Sequence, residues 1–270
     1  MFQEYYGFTT TPFSRGLQTS KPFVAAGQEE LKARLTHLVR ERGIGVITGE
    51  VGSGKSTAVR AFVEGLDPTR YTVVYTANPL IGITGFYREV LGVLGEPVPM
   101  FRQQMVLGIR RCFDTLTNER KKTPVVILDE AHLADARMLE ELRLLLNVRM
   151  DSQAAAALVL VGHTELRRTL RLSIHEALWQ RASVRYHLGP LDLTATGAYI
   201  RHQTEVAGYR GVALFSDGFV AKAYDYTKGI PRQINLVCTH ALMAGCAEQK
   251  QVLDEMVLRQ VVNDLETANS

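Results

Sequence analysis

The sequence predicts a protein of the α/β class, in which a parallel sheet flanked by helices is followed by a small region made only of helices. Two observations predict this. Short apolar, β-branched runs alternate with amphipathic helical segments up to about residue 190, and only helical patterns follow Pro190. The 270 residues are 46% hydrophobic and 22% charged, so apolar material suffices for a core and disorder of the whole chain is excluded.

The elements of the α/β part are predicted from the period of their apolar residues. Helices are expected at residues 28–42, 55–65, 84–94, 103–120, 135–147 and 165–182. Strands are expected at residues 44–48, 71–76, 125–128, 158–161 and, as a possible fifth, 184–188. The third of these strands is apolar throughout, which is typical of parallel strands that are buried on both faces.

Four helices are expected after Pro190, at about residues 194–207, 216–227, 231–247 and 254–265. Ser216 is predicted as an N-cap, Gly229 as a helix stop and Pro231 as a first-turn residue. The chain is therefore expected to divide into an irregular N-terminal segment at 1–27, an α/β base at 28–190 and a helical lid at 191–270.

Composition excludes several classes of protein. The longest apolar run, residues 154–161, is far shorter than the roughly 20 residues that span a bilayer. The first residues lack the basic and apolar regions of a secretory signal, and three cysteines are too few for a disulfide framework. We therefore expect a cytoplasmic protein without membrane insertion. The formal net charge of +3 does not by itself indicate a polyanionic partner.

A glycine-rich loop between the first strand and the next helix matches the pattern G-x-x-x-x-G-K-[ST]. Its glycines let backbone N–H groups turn toward phosphate oxygens, and the helix adds its dipole. Lys55 is expected to reach the β- and γ-phosphates of ATP, and the Ser56 hydroxyl to bind Mg²⁺. A chance match is the alternative, but a strand before the loop and a helix after it favour nucleotide binding. The predicted nucleotide-binding residues here are Gly49, Glu50, Val51, Gly52, Ser53, Gly54, Lys55, Ser56 and Thr57.

The third strand ends in two acidic residues, Asp129 and Glu130. Asp129 at the carboxyl end of a strand is suited to hold Mg²⁺, and Glu130 to orient and deprotonate an attacking water. The alternative is an ordinary strand followed by a solvated acidic turn. The glycine-rich loop earlier in the chain favours the catalytic interpretation, and the adjacent glutamate favours hydrolysis over phosphoryl transfer to a small molecule.

Three further positions are candidates for contact with the nucleotide. His163 follows the fourth strand and would sense the γ-phosphate, whereas the alternative is a capping or half-buried histidine. Arg232 in the first turn of a lid helix would close onto the triphosphate, whereas a surface arginine there would be opposed by the helix dipole. Arg181, or Arg185, would stabilise transition-state charge in a neighbouring subunit, whereas the alternative is a solvated basic helix face.

Other sets of residues have a chemical and a structural interpretation. One basic set could follow a DNA phosphate backbone, namely Arg102, Arg110, Arg111, Arg120, Lys121 and Lys122. Cys238, His240 and Cys246 lie on one predicted helix with unsuitable ligand spacing, so core packing is expected. The N-terminal aromatic cluster could bind a partner, or could pack on the base or line the adenine side of the pocket; it comprises Tyr5, Tyr6, Phe8, Pro12 and Phe13.

In their order along the chain these motifs resemble those of AAA+ ATPases, over about residues 1–266. More narrowly, YYGF at 5–8, PF at 12–13, TGEVGSGK at 48–55, LDEAH at 128–132 and VGHTELR at 161–167 look like the ExeA/GspA-type ATPases. The same core resembles the TniB/TnsC-type ATP-binding regulators of transposons. The resemblance implies a P-loop NTPase fold, ATP and Mg²⁺ as cofactors, and self-association, because such sites are completed between subunits.

The resemblance also implies a role for each matching residue. It implies that Lys55 and Ser56 act in the phosphate loop, and Asp129 and Glu130 in the second acidic motif. His163 would be the first sensor and Arg232 the second sensor. Arg181 would be the arginine finger. The metal ligands implied are Ser56 and Asp129, and the catalytic residues are Glu130, Lys55, Arg181 and His163.

ExeA-type ATPases usually continue into a transmembrane helix and a periplasmic part, whereas this sequence ends at Ser270 directly after the lid. We therefore expect an ATP-hydrolysing regulator that oligomerises, as a ring or a helical filament, on duplex DNA. Its expected partner is a transposase, which it recruits or activates for target-site capture. The alternative is an ATPase helper of secretion or cell-envelope assembly. A general remodelling or loader ATPase is a third possibility.

Overall fold

The computed structural model describes residues 2–14, 16–17, 22–148 and 153–268. The chain divides into two compact units. The α/β unit contains residues 27–51 and 58–188, and the helical unit contains the described residues of 1–26, 52–57 and 189–270. The glycine-rich loop therefore leaves the α/β unit at Val51 and belongs to the helical unit from Gly52 to Thr57.

The α/β unit is built on a parallel sheet. In chain order the strands are β1 (Ile44–Gly49), β2 (Tyr71–Thr76), β3 (Thr123–Leu128), β4 (Asn147–Val148), β5 (Gln153–Ala154), β6 (Ala157–Gly162) and β7 (Ala182–Leu188). The described residues form a five-stranded parallel sheet in the order β2-β3-β6-β1-β7, and β4 and β5 form a separate antiparallel pair. Every residue of β1 and β6 is buried, as expected for central parallel strands. The predicted parallel α/β sheet, including its possible fifth strand, is confirmed.

Helices cover both faces of this sheet. They are α2 (Ala26–Glu41), α3 (Lys55–Glu64), α4 (Gly82–Leu94), α5 (Arg102–Asp114), α6 (Ala136–Leu146), α7 (Thr164–Leu170) and α8 (Glu176–Arg181). Apolar residues of α2 and α3 pack on one face, around Ile47 and Val159. Apolar residues of α4 to α8 pack on the other, around Val46 and Leu160. Alternate residues of the same strands thus serve two cores, which fixes the sheet register.

Two predicted helices are not regular α-helices over their whole length. The one at 103–120 is α5 followed by a π-helical segment, Thr115–Glu119, and the one at 165–182 is α7, a 3₁₀ turn at Ser173–His175 and α8. In the second case Leu172 is extended, with ψ 146°. The buried side chains pass from Leu170 to His175, a step of five residues that one continuous helix would not place on the same face.

The helical unit contains α1 (Phe2–Tyr6), α9 (Leu193–Val206), α10 (Asp217–Thr227), α11 (Pro231–Ala247) and α12 (Glu255–Ala268). Ser216 caps α10, since its Oγ accepts a hydrogen bond from the Phe219 N–H at 3.1 Å. Gly229 follows α10 with φ 73°, and Pro231 is the first residue of α11. All three terminal signals predicted from the sequence are confirmed.

The N-terminal aromatic residues contribute to the core of the helical unit. Tyr6, Phe8 and Phe13 are buried in one cluster with side chains of α9 to α12. The Tyr6 hydroxyl donates to the Lys250 carbonyl at 3.0 Å, and burial raises the Tyr6 pKa. Their burial in this core contradicts the interpretation as an exposed partner-binding strip. A short segment that buries three rings gains more by completing a small core than by staying exposed.

Candidate functional site

The carboxyl edge of the sheet gathers the predicted acidic and histidine residues of the α/β unit. Asp129 and Glu130 follow β3, His163 follows β6, and Gly49 to Val51 follow β1. Because β6 lies between β3 and β1, these three segments leave the sheet next to one another. The crevice at the carboxyl ends of parallel strands is where ligands bind in open α/β folds.

The carboxylate of Asp129 is buried and held in one orientation. Only 3% of the residue is exposed. Its Oδ2 accepts a hydrogen bond from the Tyr75 hydroxyl at 2.9 Å, and its Oδ1 accepts from the backbone N–H of Glu130 at 2.9 Å. Burial, and then the hydrogen bond to Asp129, raises the pKa of Tyr75. No sequence motif marks Tyr75, which reaches Asp129 from the neighbouring strand β2.

Glu130 occupies an unusual backbone conformation. Its φ of 54° lies in the left-handed region, and the 3₁₀ turn Ala131–Leu133 follows it. This region is costly for a residue with a side chain and is found more often at functional sites. The Glu130 Oε2 lies 3.5 Å from Nδ1 of His132 and 3.6 Å from Nε2 of His163. The turn thus directs the carboxylate toward two imidazoles.

His132 and His163 form a stacked pair beside Glu130. Their ring centroids are 4.0 Å apart with an interplanar angle of 18°, and the His163 N–H donates to Nδ1 of His132 at 3.4 Å. His163 is the N-cap residue of α7, yet its side chain makes no capping hydrogen bond, which removes the capping alternative. A Cβ at Gly162 would lie 3.1 Å from the backbone nitrogen of His132, so a glycine at this position allows the close approach.

The glycine-rich loop has the conformation expected of a phosphate cradle. Gly52 and Gly54 have φ of 83° and 95°, values that glycine adopts without strain. Ser53 Oγ is buried with no hydrogen-bond partner within the described residues, and Lys55 is buried as well. A buried polar atom without a partner is costly, and a bound phosphate oxygen would satisfy it. These residues therefore fit ATP.

Arg232 lies against this loop within the helical unit. Its backbone N–H donates to the Gly52 carbonyl at 3.3 Å, and a Cβ added to Gly52 would lie 2.5 Å from the Cβ of Arg232. Arg232 is the second residue of α11, directly after Pro231. The structure thus brings the predicted second sensor to the predicted phosphate loop.

The two candidates for the arginine finger, Arg181 and Arg185, differ in their surroundings. Arg185 lies over the ring of Trp179 at 4.3 Å and donates to the Trp179 carbonyl at 2.6 Å. Arg181 is the half-buried last residue of α8. Local contacts therefore occupy Arg185, and Arg181 remains the predicted arginine finger.

Three arginines of α7 and the turn after it line a pocket of about 350 Å³. Arg167, Arg168 and Arg171 share it with Thr48, Thr164 and His187. The Thr48 hydroxyl lies 3.2 Å from Nδ1 of His187. Across the part of the chain that the structure describes, no carboxylate pairs with these three guanidinium groups. Such a pocket is suited to bind an anion with several oxygens.

The other predicted basic set is partly engaged by its own surroundings. Arg102 pairs with Glu141, Arg110 donates to the Leu144 carbonyl at 3.2 Å, and Lys122 donates to the Pro68 carbonyl at 2.9 Å. Cys238 is fully buried in the core of the helical unit, which raises its pKa well above the usual value. The expected core packing is confirmed for Cys238, and Cys246 packs partly buried against the same core, but it is wrong for His240, which is exposed.

The sequence profile of a family described as an AAA domain matches residues 36–170, half of the chain. The chain belongs to the AAA domain family. General secretion pathway protein A of Aeromonas hydrophila is 31% identical over 254 residues, which cover 92% of this chain and 45% of that protein. The chain therefore spans less than half the length of this relative. The AAA family and the secretion-type relative together support an AAA+ ATPase of the ExeA-like group.

Solved AAA structures have the same fold. The Aeropyrum pernix ORC2 protein, in ADPNP and ADP complexes, has a TM-score of 0.69 at 18% identity over 95% of this chain and 72% of that chain. Drosophila ORC bound to DNA has a TM-score of 0.64 at 17% identity, over 98% and 65%. At these identities the likeness shows the fold alone, and it confirms the predicted P-loop AAA+ fold with its helical region.

No helix among the described residues combines the length and the apolar character needed to cross a bilayer.

Proposed function

We propose that this chain is an ATP-hydrolysing AAA+ regulator that self-associates on duplex DNA. The observation that carries the hydrolytic part is the arrangement at the carboxyl edge of the sheet, where Asp129, Glu130 and His163 follow adjacent strands. The glycine-rich loop starts from the same edge at Gly49. Membership of the AAA family supports nucleotide hydrolysis as the class of activity.

In this proposal each residue has a distinct task. The backbone of residues 49–54 and the Lys55 ammonium bind the phosphates of ATP, and Glu130 takes the proton of the attacking water. Ser56 and Asp129 would hold Mg²⁺, which neutralises phosphate charge when bound. The Tyr75 hydroxyl keeps Asp129 oriented at 2.9 Å.

Two residues, His163 and Arg232, are proposed to sense whether the bound nucleotide carries a γ-phosphate. His163, beside Glu130 at 3.6 Å, contacts the γ-phosphate, and Arg232 reports its presence through α11. Arg181 of a neighbouring subunit supplies positive charge to the transition state, so hydrolysis depends on self-association. A site that is completed between subunits couples assembly to the nucleotide.

DNA binding is supported by the pocket that Arg167, Arg168 and Arg171 line, since guanidinium groups bind phosphate oxygens. Arg171 also lies over the ring of Trp179 at 5.6 Å, so Arg167 and Arg168 carry the proposal. The Drosophila ORC neighbour is bound to DNA. The finer proposal, carried by the resemblance to transposon regulators, is that the partner is a transposase, recruited or activated for target-site capture.

A second candidate function is that of an ATPase helper in secretion or envelope assembly. The 31% identity to General secretion pathway protein A favours it. It predicts a protein partner and an ATPase rate that does not respond to DNA. The two functions are therefore separated by one measurement.

The experiment is ATP hydrolysis with and without duplex DNA, at low and moderate salt, with Glu130→Gln as the inactive control. DNA stimulation that weakens with salt supports the DNA-bound regulator. A double variant, Arg167→Ala with Arg168→Ala, is expected to lower DNA affinity and to reduce the slope of log K against log salt by about 2. The matched control removes the same charge from the other basic set, with Arg120→Ala and Lys121→Ala.

One outcome would decide between the two functions, and another would relocate the DNA-binding surface. ATPase activity that does not respond to DNA would contradict the leading proposal and support the secretion helper. Loss of DNA affinity in the control pair, with the Arg167 and Arg168 pair unchanged, would move the DNA surface to the other basic set.

A further inference from the structure

Glu130, His132 and His163 form a cluster that the proposed hydrolysis only partly uses. One ligand atom from each residue, a carboxylate oxygen or an imidazole nitrogen, lies within 4.8 Å of the other two. All three residues are half-buried, and they belong to the same compact unit. His132 has no task in the proposed chemistry, so its convergence with the other two requires a separate explanation.

The distances from the Glu130 carboxylate to the two imidazoles are those of ligands on one transition-metal ion, and the two imidazole nitrogens lie within 4.8 Å of each other. Donors at about 2.0–2.1 Å from a tetrahedral zinc ion lie about 3.4 Å from one another. The Glu130 Oε2 is 3.5 Å from Nδ1 of His132 and 3.6 Å from Nε2 of His163. Two imidazoles and one carboxylate match the donor set of many zinc sites, in which water takes the fourth position.

The Nδ1 of His132 accepts the backbone N–H of His163 over a long 3.4 Å. A metal ion bound at this nitrogen would replace that weak hydrogen bond, and binding requires the unprotonated imidazole. The rings are nearly parallel, at 18°, and their lone pairs converge only after one imidazole turns about its Cβ–Cγ bond. That torsion has a broad range of allowed values in histidine, so the ring can turn without leaving a rotamer minimum.

We propose that this cluster binds Zn²⁺, and that the bound ion inhibits ATP hydrolysis by occupying the carboxylate of Glu130. Imidazole ligands favour zinc over Mg²⁺, which prefers oxygen donors and water. The inhibition rests on the proposed role of Glu130 as the general base, whereas the binding of the metal does not. ATP binding is expected to continue, because the glycine-rich loop and Lys55, which hold the phosphates, lie outside the cluster; only the proposed contact of His163 with the γ-phosphate would be lost.

The test uses the full chain, stripped of metal, with Co²⁺ as a spectroscopic probe and Zn²⁺ as its competitor. Wild-type protein without nucleotide is expected to give the visible absorption of tetrahedral Co²⁺, which Zn²⁺ displaces. His132→Asn keeps an oxygen that can accept the His163 N–H but removes the imidazole ligand. Its affinity for the ion is expected to fall by more than the roughly 10- to 100-fold that loss of a group supporting a metal ligand costs, because the ligand itself is lost. His163→Asn is expected to have the same effect.

Activity provides the second measurement. Zn²⁺ is expected to inhibit wild-type hydrolysis at concentrations near its Kd, and His132→Asn is expected to hydrolyse ATP while resisting the inhibition about 10-fold or more. His37→Gln, an exposed histidine on α2, is the matched control and should behave as wild type. A protein that binds Co²⁺ but hydrolyses no ATP would contradict the proposed function and leave the metal site standing.

Three outcomes would overturn the proposal. One is a Co²⁺ spectrum that the two histidine variants leave unchanged. Another is a thiolate charge-transfer band, which would place the ion on cysteine. The third is equal inhibition of wild type and His132→Asn, which would place the inhibitory ion at the nucleotide instead.

Discussion

The backbone N–H of Arg232 donates a hydrogen bond to the carbonyl of Gly52 at 3.3 Å. The first turn of α11 therefore lies directly on the glycine-rich loop, and both belong to the helical unit. A movement of the loop around phosphates would reach α11 through this contact without an intermediate side chain. The contact also explains why position 52 carries no side chain, since a Cβ there would lie 2.5 Å from the Cβ of Arg232.

Gly52→Ala is expected to weaken nucleotide binding and to destabilise the helical unit. Alanine at φ 83° costs about 1–2 kcal/mol, and the clash with Arg232 adds to this. The measurements are thermal unfolding and titration with a fluorescent ATP analogue. Gly92→Ala is the control, because Gly92 lies on α4 and a Cβ added there would have nothing within 4 Å. That change should stabilise the fold by about 0.5–1 kcal/mol. Equal effects of the two substitutions would contradict the proposed contact.

Arg232→Ala is expected to weaken ATP binding about 10- to 100-fold, the equivalent of one charge-assisted hydrogen bond, and to affect ADP less. Thermal stability should change little, because the Arg232 side chain is exposed and its backbone bond to Gly52 remains. Arg232→Lys should restore part of the affinity for ATP. Isothermal titration with both nucleotides measures this difference. A loss of the same size for ATP and ADP would exclude a sensor of the γ-phosphate.

Much of the fold could be predicted because its signals are local. Each strand is a short apolar run, and the ends of α10 and α11 carry Ser216, Gly229 and Pro231, whose effects depend on their own backbone. The break between α7 and α8 could not be predicted in this way. No glycine or proline marks it, and it arises because Leu170 and His175 are both buried in the same unit.

In the candidate site, too, contiguous motifs could be predicted from the sequence, whereas contacts between residues far apart in the chain could not. The acidic pair and the glycine-rich loop are contiguous motifs, so the sequence indicates them directly. The contacts of Tyr75 with Asp129 and of His132 with His163 join residues that are 54 and 31 positions apart. They depend on β3 lying between β2 and β6, an order that no local pattern contains. The catalytic roles of these residues stay predictions.

Glu130→Gln is expected to reduce hydrolysis about 10²- to 10⁴-fold, the usual contribution of a general base. ATP affinity should remain within about twofold, because the phosphates are held by other groups. Single-turnover hydrolysis and equilibrium binding measure the two quantities separately. Glu64→Gln removes an exposed carboxylate at the end of α3 and serves as the control. Hydrolysis that survives in Glu130→Gln would assign the base to another residue.

Stability is expected to fall at alkaline pH, partly because of Tyr199. This residue is 5% exposed, and burial raises its pKa. Below about pH 10 both the folded and the unfolded state keep the phenolic proton, so the buried Tyr199 makes its full contribution to the free energy of unfolding. Above that pH the unfolded state loses the proton first, and stability falls by up to about 1.4 kcal/mol per pH unit for this group. Chemical unfolding across this range measures the slope.

Two variants separate the hydrogen bond of Tyr199 from its titration. Tyr199→Phe removes both the titrating hydroxyl and its 2.8 Å bond to Asn235. The substitution should lower the free energy of unfolding by about 1 kcal/mol at neutral pH. This difference in stability between variant and wild type, the gap, should narrow as the pH rises above about 10, because only the wild type loses stability when Tyr199 ionises. Asn235→Ala removes the acceptor but leaves the hydroxyl buried, so its gap should persist at alkaline pH. If both variants keep a constant gap to wild type, ionisation of Tyr199 makes no contribution, and the alkaline loss must come from other tyrosines whose pKa burial raises, such as Tyr6.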